Sequence, residues 1–453
     1  MRKKFNGPTA PADTPQKSPR KLRMILISVL IMTFMMTLDS SILNVALPTL
    51  ADSLSVPTSL VDWACTSYLI TLCAFVLIFG KWADIIGKAK VFQVGTLVFT
   101  VGSLLCSVSN EFIFLIFSRL IQGIGASAAM SSNLGIISET YPVKSRAKAL
   151  SGVSSAVALG TLVGPIAGGV ILNSFSWHVI FLINLPIGVL AFILGFIYLP
   201  KGTTNKPACR LDVGGSVFIA LSIATVISAL TMLQTYHDIY LYLLLLAGGL
   251  FLVIFFIIEN KTASPLIKVT LFRNKAFAAN LLAIVIVFFS IGTYNILMPF
   301  YLQDALGYSP GVAGAIMTAQ PAVLAIVAPI AGALADKYGY RPVSAFGMLI
   351  FGFGALFQGL RYQMDTSVFL IVLGIVIFAV GNAFCQAPNN ALVMSSVKRE
   401  DYGFAGSVCT LVRYLGVSFG LTLSTSALYA LMSQKAGYPV QTFLNERPGI
   451  FIY

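Results

Sequence analysis

Charged residues are scarce in this sequence. Asp, Glu, Lys and Arg together make up 10% of its 453 residues, whereas 57% are hydrophobic, and the mean hydropathy is +0.88. A soluble domain averages roughly 25% charged residues. The composition therefore excludes an ordinary soluble protein and predicts a chain that crosses a lipid bilayer many times.

Several kinds of chemistry lack the residues that they require. Two histidines and no clustered acidic residues leave little for metal-dependent or nucleophilic catalysis, so we expect neither an enzyme nor a metal site. The six cysteines show no metal-ligand spacing, and we expect them to be reduced. No G-x-x-x-x-G-K-[ST] loop for ATP is present. The polar segments are short, which disfavours a membrane sensor with its own signalling domain.

Long apolar runs take the place of charge. A helix needs about 20 residues to cross roughly 30 Å of hydrocarbon, and thirteen segments are long enough. They lie near residues 24–50, 62–80, 91–108, 112–136, 149–173, 179–199, 213–233, 239–258, 277–303, 311–334, 343–360, 368–391 and 404–432. The predicted fold class is an all-α polytopic membrane protein.

The basic residues are distributed unevenly among the loops. If the N-terminus is cytoplasmic, the N-terminal tail and the internal loops hold 24 of the 29 Lys and Arg residues, and the external loops hold only Arg361. The positive-inside rule thus predicts a cytoplasmic N-terminus. This topology also explains the net charge of +13 without a nucleic-acid partner.

Two loops repeat one pattern, G-x-x-x-D-x-x-G followed by basic residues. The first, GKWADIIGKAK, begins at Gly80, and the second, GALADKYGYRP, begins at Gly332. The repeat predicts two related bundles with a binding site between them, as in many transporters. We predict a disordered cytoplasmic tail (1–23), a six-span bundle (24–199), an inserted two-span hairpin with its flanking loops (200–276), a second bundle with five visible spans (277–432) and an extracellular tail (433–453).

Four motifs resemble those of the major facilitator superfamily, and within it the fourteen-span drug:proton antiporters. Besides the repeated loop, they are LDSSILNVALP at 38–48, RLIQGIGASAAM at 119–130 and GTLVGPIAGG at 160–169. The resemblance implies the major facilitator fold, with two six-span bundles and two linking spans, in the cell membrane. Thirteen spans are visible, so a fourteenth is either absent or truncated. We expect a monomer.

The resemblance also implies multidrug efflux coupled to the proton gradient, with no other cofactor, and hence antibiotic resistance. Because one acidic residue and two arginines lie deep in the spans, we expect monocationic, zwitterionic or neutral amphipathic substrates, such as dyes, quaternary ammonium agents or quinolones. An exporter of an endogenous metabolite, peptide or lipid is the alternative, because a fold does not determine its substrate.

Three charged residues lie deep within the spans: Asp39, Arg119 and Arg413. A charge in a bilayer costs several kcal/mol, so such residues usually face a partner or an aqueous path. Asp39 and Arg119 lie about 16 Å and about 10 Å from the outer ends of their spans, at depths that permit contact. We expect Asp39 to carry a proton and meet substrate, and the resemblance implies that Arg119 tunes this proton site. Gln122, one turn after Arg119 on the same face, is a further candidate for substrate binding. A structural ion pair is the alternative.

Other candidates line a ligand cavity in this prediction. Arg413 has no acidic partner in its span and could meet a substrate carboxylate or a carbonyl-lined cavity. Thioether and aromatic side chains suit varied flat, apolar ligands. The remaining candidates are Met32, Met35, Met36, Phe289, Tyr294, Met298, Tyr301, Asn382 and Gln386. For the methionine and aromatic candidates, ordinary packing is an equal alternative.

The repeated loops predict a latch between the bundles, since paired charges at an interface can separate when the bundles rock. The candidates are Gly80, Asp84, Gly87, Lys88, Lys90, Glu139, Gly332, Asp336, Gly339 and Arg341, with Glu139 expected to pair with Lys88 or Lys90. Solvated loop charges are the alternative.

A row of small residues in the fifth span predicts close helix packing. Its members are Gly160, Gly164, Pro165, Gly168 and Gly169. The proline removes a backbone donor and permits a kink. The row resembles the feature that seals antiporters of this family against a leak.

Overall fold

The computed structural model describes residues 18–56, 61, 63–200, 212–233, 238–262, 266, 269–308 and 310–436. These residues form thirteen helices long and apolar enough to cross a membrane, which confirms the predicted number. They are α1 (Pro19–Leu54), α2 (Trp63–Ile86), α3 (Lys88–Ser107), α4 (Phe112–Thr140), α5 (Val143–Ser174), α6 (Val179–Leu182 with Asn184–Tyr198), α7 (Val213–Met232), α8 (Ile239–Glu259), α9 (Lys275–Phe300), α10 (Pro310–Met317 with Ala319–Tyr338), α11 (Tyr340–Arg361), α12 (Val368–Ser395) and α13 (Tyr402–Ala436). Short helical turns occupy Val269–Phe272, Tyr301–Ala305 and Arg399–Asp401.

Helix α1 begins earlier than hydropathy predicts. The predicted tail reaches residue 23, but the helix starts at Pro19, and the Ser18 Oγ accepts a hydrogen bond from the Lys21 N–H at 3.3 Å. Proline suits the first helical position because its missing N–H would be unpaired there anyway. Hydropathy locates the apolar run, whereas the cap determines where the helix starts. At the other end of the chain, α13 continues to Ala436, past the predicted boundary at residue 432.

The predictions for residues 1–17 and 437–453 lie outside the described residues, as does Cys209.

The helices pack in the same order in both halves of the chain. In the first half α1 packs on α5, and both α2 and α3 pack on α4. In the second half α9 packs on α13, and both α10 and α11 pack on α12. Helix α6 packs on α1 and α3, and no helix of the described residues takes the equivalent place beside α9 and α11. The repeat seen in two loops thus extends to the packing of five helices in each half, α1–α5 and α9–α13.

Helices α7 and α8 have no counterpart in this repeat. They pack on each other, and α7 also contacts α2 and α13, one helix from each half. The pair therefore lies beside the two bundles as a hairpin.

The two repeated loops reverse the chain at single glycines. Gly87 lies between α2 and α3 with φ of 104°, and Gly339 lies between α10 and α11 with φ of 99°. A residue with a Cβ rarely adopts this backbone conformation. Glycine at these two positions therefore permits the shortest connection between neighbouring spans.

The two bundles meet at the end of the molecule that carries these loops, here called the loop end. Helix α5 packs on α10 and α12, and α13 packs on α2 and α4. Residues 401–410 are all buried, whereas residues 412–415 are partly exposed. The packing between the bundles therefore loosens from the middle of α13 toward the opposite end, here called the far end.

Candidate functional site

Asp39 and Arg119 form a buried ion pair between α1 and α4. The Asp39 Oδ2 lies 2.7 Å from the Arg119 Nη1, and the two residues are 3% and 1% exposed. The depths of Asp39 and Arg119 along their spans permit contact, and in the structure the two side chains touch directly. Burial of an isolated ion at this position would cost several kcal/mol, so each charge lowers the cost of burying the other.

Amide groups complete the hydrogen bonding of the Asp39 carboxylate. Its Oδ1 accepts hydrogen bonds from the Gln122 Nε2 at 3.0 Å and from the Asn184 Nδ2 at 2.6 Å. The Gln122 Nε2 also donates to the Ser103 Oγ at 2.7 Å. Gln122, Asn184 and Ser103 are fully buried. Both carboxylate oxygens therefore face donors, which stabilise negative charge in a water-poor site.

Arg119 is held from its other side by α2 and α6. Its Nε donates to the Ala64 carbonyl at 2.8 Å, and its Nη1 donates to the Gln122 Oε1. Its guanidinium carbon lies 4.4 Å from the ring centroid of Tyr68 and 5.9 Å from that of Phe181. Side chains or carbonyls of α1, α2, α3, α4 and α6 thus meet at one pair of charges. A shift of any of these helices changes what the Asp39 carboxylate contacts.

Asn184 and Ser103 were not predicted from the sequence. Helix α6 is interrupted between Leu182 and Asn184, because Pro186 has no N–H to donate to the Leu182 carbonyl. Asn184 begins the segment after this break. Asn184, Ser103 and Arg119 all lie within about two turns of the far end of their helices. A comparison of depths along the spans that included uncharged polar residues could have predicted both residues.

The small residues of α5 bring α1 close. A Cβ added to Gly160 would lie 2.8 Å from the Thr37 Cβ, and one added to Gly164 would lie 2.4 Å from the Ser41 Cβ. Separations this short do not occur between real side chains, so the two helices can approach only where α5 lacks side chains. The packing predicted for this row is therefore directed at α1, the helix that carries Asp39. The prediction is wrong for Gly169, because nothing lies within 4 Å of a Cβ added there.

Pro165 leaves one backbone carbonyl of α5 without its intrahelical donor, and a side chain of α1 donates a hydrogen bond to it. A proline cannot donate to the carbonyl four residues earlier, which here belongs to Thr161. The Ser41 Oγ donates a hydrogen bond to the Thr161 carbonyl at 3.2 Å. Because Ser41 follows Asp39 by two residues, the proline in α5 is linked to the helix segment that holds the ion pair.

The substitution Gly164→Ala is expected to destabilise the protein by about 1–3 kcal/mol, the usual cost of overpacking. The added methyl group would overlap Ser41 and push α1 away from α5. Gly169→Ala is the matched control, because nothing lies within 4 Å of a Cβ there. Thermal unfolding of both variants in detergent measures the effect. Equal unfolding temperatures would contradict the close packing of α1 on α5.

Each repeated loop places an aspartate near the start of a helix in the opposite bundle. The Asp84 carboxylate accepts hydrogen bonds from the backbone N–H groups of residues 403–404, in the first turn of α13, at 2.8 and 2.9 Å. The Asp336 carboxylate accepts from those of residues 147–148, near the start of α5, at 3.0 and 2.9 Å. Unpaired N–H groups and the helix dipole both favour a carboxylate at the start of α13, and the dipole also favours one near the start of α5.

The charge pairs predicted for the latch are correct in part. The Lys88 Nζ lies 2.8 Å from the Asp84 Oδ1 and 2.9 Å from the Glu139 Oε1, which confirms that Glu139 pairs with Lys88. Lys90 and Arg341 are exposed, and neither forms an ion pair with a described residue. The aspartate of the second loop binds backbone N–H groups, which a pattern of side-chain charges does not reveal.

The glycine that opens each repeated loop lets the bundles touch. A Cβ on Gly80 would lie 1.9 Å from the Ser407 Oγ of α13, and one on Gly332 would lie 2.7 Å from the Ser151 Oγ of α5. The two glycines therefore occupy equivalent positions in a duplicated interface. The contacts of Gly80 and Asp84 with α13, and of Gly332 and Asp336 with α5, are called the latch below.

The residues predicted to line a ligand cavity do not all lie together. The methionines of α1, Met32, Met35 and Met36, are fully buried in the hydrophobic core. Tyr294 and Met298 are also buried, and the Tyr294 ring stacks on Phe378 of α12 with centroids 5.6 Å apart. These side chains take part in helix packing, the alternative that the sequence left open.

Tyr301 keeps the helical spacing predicted for it, because its N–H still donates to the Leu297 carbonyl as in the rest of α9. A π-helical turn, Tyr301–Ala305, begins at this residue and changes the register of the residues after it. The Tyr301 ring stacks on Tyr362 at 5.3 Å, and its hydroxyl donates to the Gln363 carbonyl at 2.8 Å. The pair borders a cavity of about 640 Å³ at the far end of the second bundle.

The remaining predicted residues lie on helices of the second bundle. Phe289 and Gln386 are half-buried. Asn382 is 1% exposed, and its Oδ1 has no hydrogen-bond partner among the described residues. Arg413 is half-buried, with its guanidinium carbon 4.9 Å from the Phe288 ring centroid.

The chain is similar along most of its length to known membrane transporters. The family model described as Major Facilitator Superfamily matches residues 29–266 and 281–439. The riboflavin transporter RibZ of Clostridioides difficile (strain 630) is 34% identical over 406 residues, which cover 89% of this chain and 87% of that protein. The multidrug transporter protein MdtP of Bacillus subtilis (strain 168) is 29% identical over 429 residues, which cover 92% and 76%.

A solved structure shares the fold. The human organic anion transporter MFSD10 superposes with a TM-score of 0.63 over 92% of this chain and 94% of that one, at 14% sequence identity. Identity this low supports the fold alone.

Proposed function

From the premise that the chain belongs to the Major Facilitator Superfamily, we propose that it is a proton-coupled antiporter that exports amphipathic small molecules from the cell. Its proposed substrates are monocationic, zwitterionic or neutral compounds, such as dyes, quaternary ammonium agents and quinolones. The relative MdtP, named as a multidrug transporter, supports this range. The proton gradient supplies the energy, and the N-terminus and the loop end face the cytoplasm, as the distribution of basic residues favours.

The observation that carries the proposal is the buried ion pair of Asp39 and Arg119. The carboxylate depends on donors from several helices, so its charged form is stable only while those helices hold their positions. When a helix shift removes a donor, a proton can take the place of that donor on the carboxylate. A conformational change and a protonation step can thus drive each other. Each charge that crosses 100 mV of membrane potential supplies about 2.3 kcal/mol.

The latch supplies the second part of the proposed mechanism. With the loop end in the cytoplasm, its contacts close the cytoplasmic side, and the looser packing toward the far end corresponds to an outward-facing state. To open inward, Asp84 must leave the start of α13 and Asp336 must leave the start of α5. Because the two contacts are equivalent by the internal repeat, rocking of one bundle on the other separates both.

Transport into vesicles tests the proposal. In proteoliposomes that contain the purified protein, an imposed pH gradient is expected to drive several-fold accumulation of a rhodamine dye, a quaternary ammonium compound or a quinolone over protein-free vesicles. A protonophore should abolish the accumulation. Accumulation that is independent of the pH gradient would contradict antiport.

A metabolite transporter is the second candidate, and one observation favours it. RibZ, named as a riboflavin transporter, is 34% identical to this chain, whereas MdtP is 29% identical. Riboflavin is therefore added to the same vesicle panel. Protein-dependent riboflavin flux, without flux of the three drugs, would favour a carrier of flavin-like metabolites.

A further inference from the structure

Arg413 is a cation at the depth of the spans, and no described residue supplies a counter-charge to it. Its Nε is buried and has no hydrogen-bond partner among the described residues. Its guanidinium carbon lies 4.9 Å from the ring centroid of Phe288. A cation–π contact contributes about 0.5–2 kcal/mol, less than the cost of an unpaired charge in this environment. The positive charge and N–H donors of Arg413 are therefore available to bind an anionic group.

The other deep charges cannot supply the missing partner. Both oxygens of Asp39 are already engaged, Oδ2 by Arg119 and Oδ1 by Gln122 and Asn184. Because Asp39 and Arg119 neutralise each other, the three deep charges leave a net charge of +1 at Arg413. A neighbouring anion would be stabilised, and a simple cation would be repelled.

Arg413 stands where the two bundles begin to separate. Gly406, two turns earlier on the same face of α13, approaches the Ser131 carbonyl of α4, since a Cβ there would lie 3.3 Å from that oxygen. Residues 401–410 are buried, whereas residues 412–415 are partly exposed. Arg413 thus lies just beyond the closed part of the interface, on a helix that contacts both bundles.

We propose that Arg413 binds a carboxylate on the transported molecule, so that the preferred substrates are amphipathic zwitterions. This inference rests on the transport function proposed above and narrows its substrate class. An arginine presents N–H donors in a fork that matches a carboxylate, and charge-assisted bonds of this kind are among the strongest in proteins.

Two dyes that differ in one group test the proposal. Rhodamine B carries a free carboxylate and is a zwitterion, whereas its ethyl ester is a cation with the same fluorophore. Binding of each dye to the purified protein in detergent is measured by fluorescence polarisation. The wild type is expected to bind rhodamine B at least about tenfold more tightly than the ester, which corresponds to about 1.4 kcal/mol.

Variants assign the preference to the guanidinium. Arg413→Gln is expected to weaken rhodamine B binding about tenfold and to bind the cationic ester at least as tightly as the wild type does, which also shows that the variant is folded. Arg413→Lys should retain part of the preference, because it keeps the charge and loses the fork. Arg361→Gln removes a positive charge at an exposed position, at the end of α11. This variant should retain the full preference for rhodamine B over its ester.

The proposal is wrong if the wild type binds neither dye or binds the ester as tightly as the acid. It is also wrong if Arg413→Gln keeps the preference, or if Arg413→Gln and Arg413→Lys lose both dyes alike. Binding in detergent requires no proton gradient. A carboxylate preference in a protein that shows no pH-driven transport would therefore overturn the antiport mechanism and leave the Arg413 site standing.

Discussion

The substitution Asp39→Asn is expected to reduce pH-driven accumulation of substrate to the level of protein-free vesicles. Asparagine keeps the size of the side chain and can still accept a hydrogen bond from Gln122 or Asn184, but it cannot carry a proton. Asp52→Asn is the matched control, since Asp52 lies in the same helix at an exposed position. This control should accumulate substrate as the wild type does in the same proteoliposome assay.

A double variant separates a proton carrier from a structural pair. Asp39→Asn leaves Arg119 as an unpaired buried cation, and breaking a buried pair in this way costs about 3–5 kcal/mol. Asp39→Asn combined with Arg119→Gln removes both charges and is expected to recover most of the lost thermal stability. A proton carrier predicts no pH-driven accumulation in either variant. Recovery of accumulation in the double variant would show that the pair serves packing alone.

The substitution Gly80→Val is expected to slow transport about 100-fold. The glycine lies against Ser407, and even a Cβ would fall 1.9 Å from the Ser407 Oγ, so a valine prevents α2 from reaching α13. Two log units correspond to about 2.7 kcal/mol, within the range of overpacking penalties. The latch then cannot close, and the outward-facing state is rarely reached.

Hydrogen exchange shows whether this loss arises at the latch. The N–H groups of residues 403–404 donate to Asp84 in the closed form and should exchange at least about tenfold faster in Gly80→Val. Gly169→Val is the control, because a Cβ there has nothing within 4 Å. Normal transport by Gly80→Val, or unchanged exchange at residues 403–404, would contradict the role assigned to the latch.

The parts of the structure that follow from the sequence are those governed by hydropathy and by rare charges. Span number depends on apolar length, which the sequence shows directly. The contact between Asp39 and Arg119 could be anticipated because few charges lie deep in the spans and a helix rise of 1.5 Å per residue gives their depths. The pairing of Glu139 with Lys88 was predictable for a similar reason, since both residues flank short loops at the loop end.

The parts that the sequence did not reveal depend on the rotation of each helix and on backbone groups. Asn184 and Ser103 are uncharged polar residues of a kind found in many spans, and only packing turns them toward Asp39. The partners of Asp336 are backbone N–H groups, which have no residue-specific signature. The carbonyl freed by Pro165 was predictable, but its donor Ser41 was not, because the register of α1 on α5 is determined by their packing.

Proton release on substrate binding tests most directly the claim that Asp39 carries the coupled proton. The purified protein is placed in weakly buffered detergent solution, and the compound that the vesicles accumulate is added while a pH-sensitive dye is followed. The wild type is expected to release protons as substrate binds, and Asp39→Asn is expected to bind substrate without releasing any. Equal proton release by the wild type and by Asp39→Asn would contradict the claim.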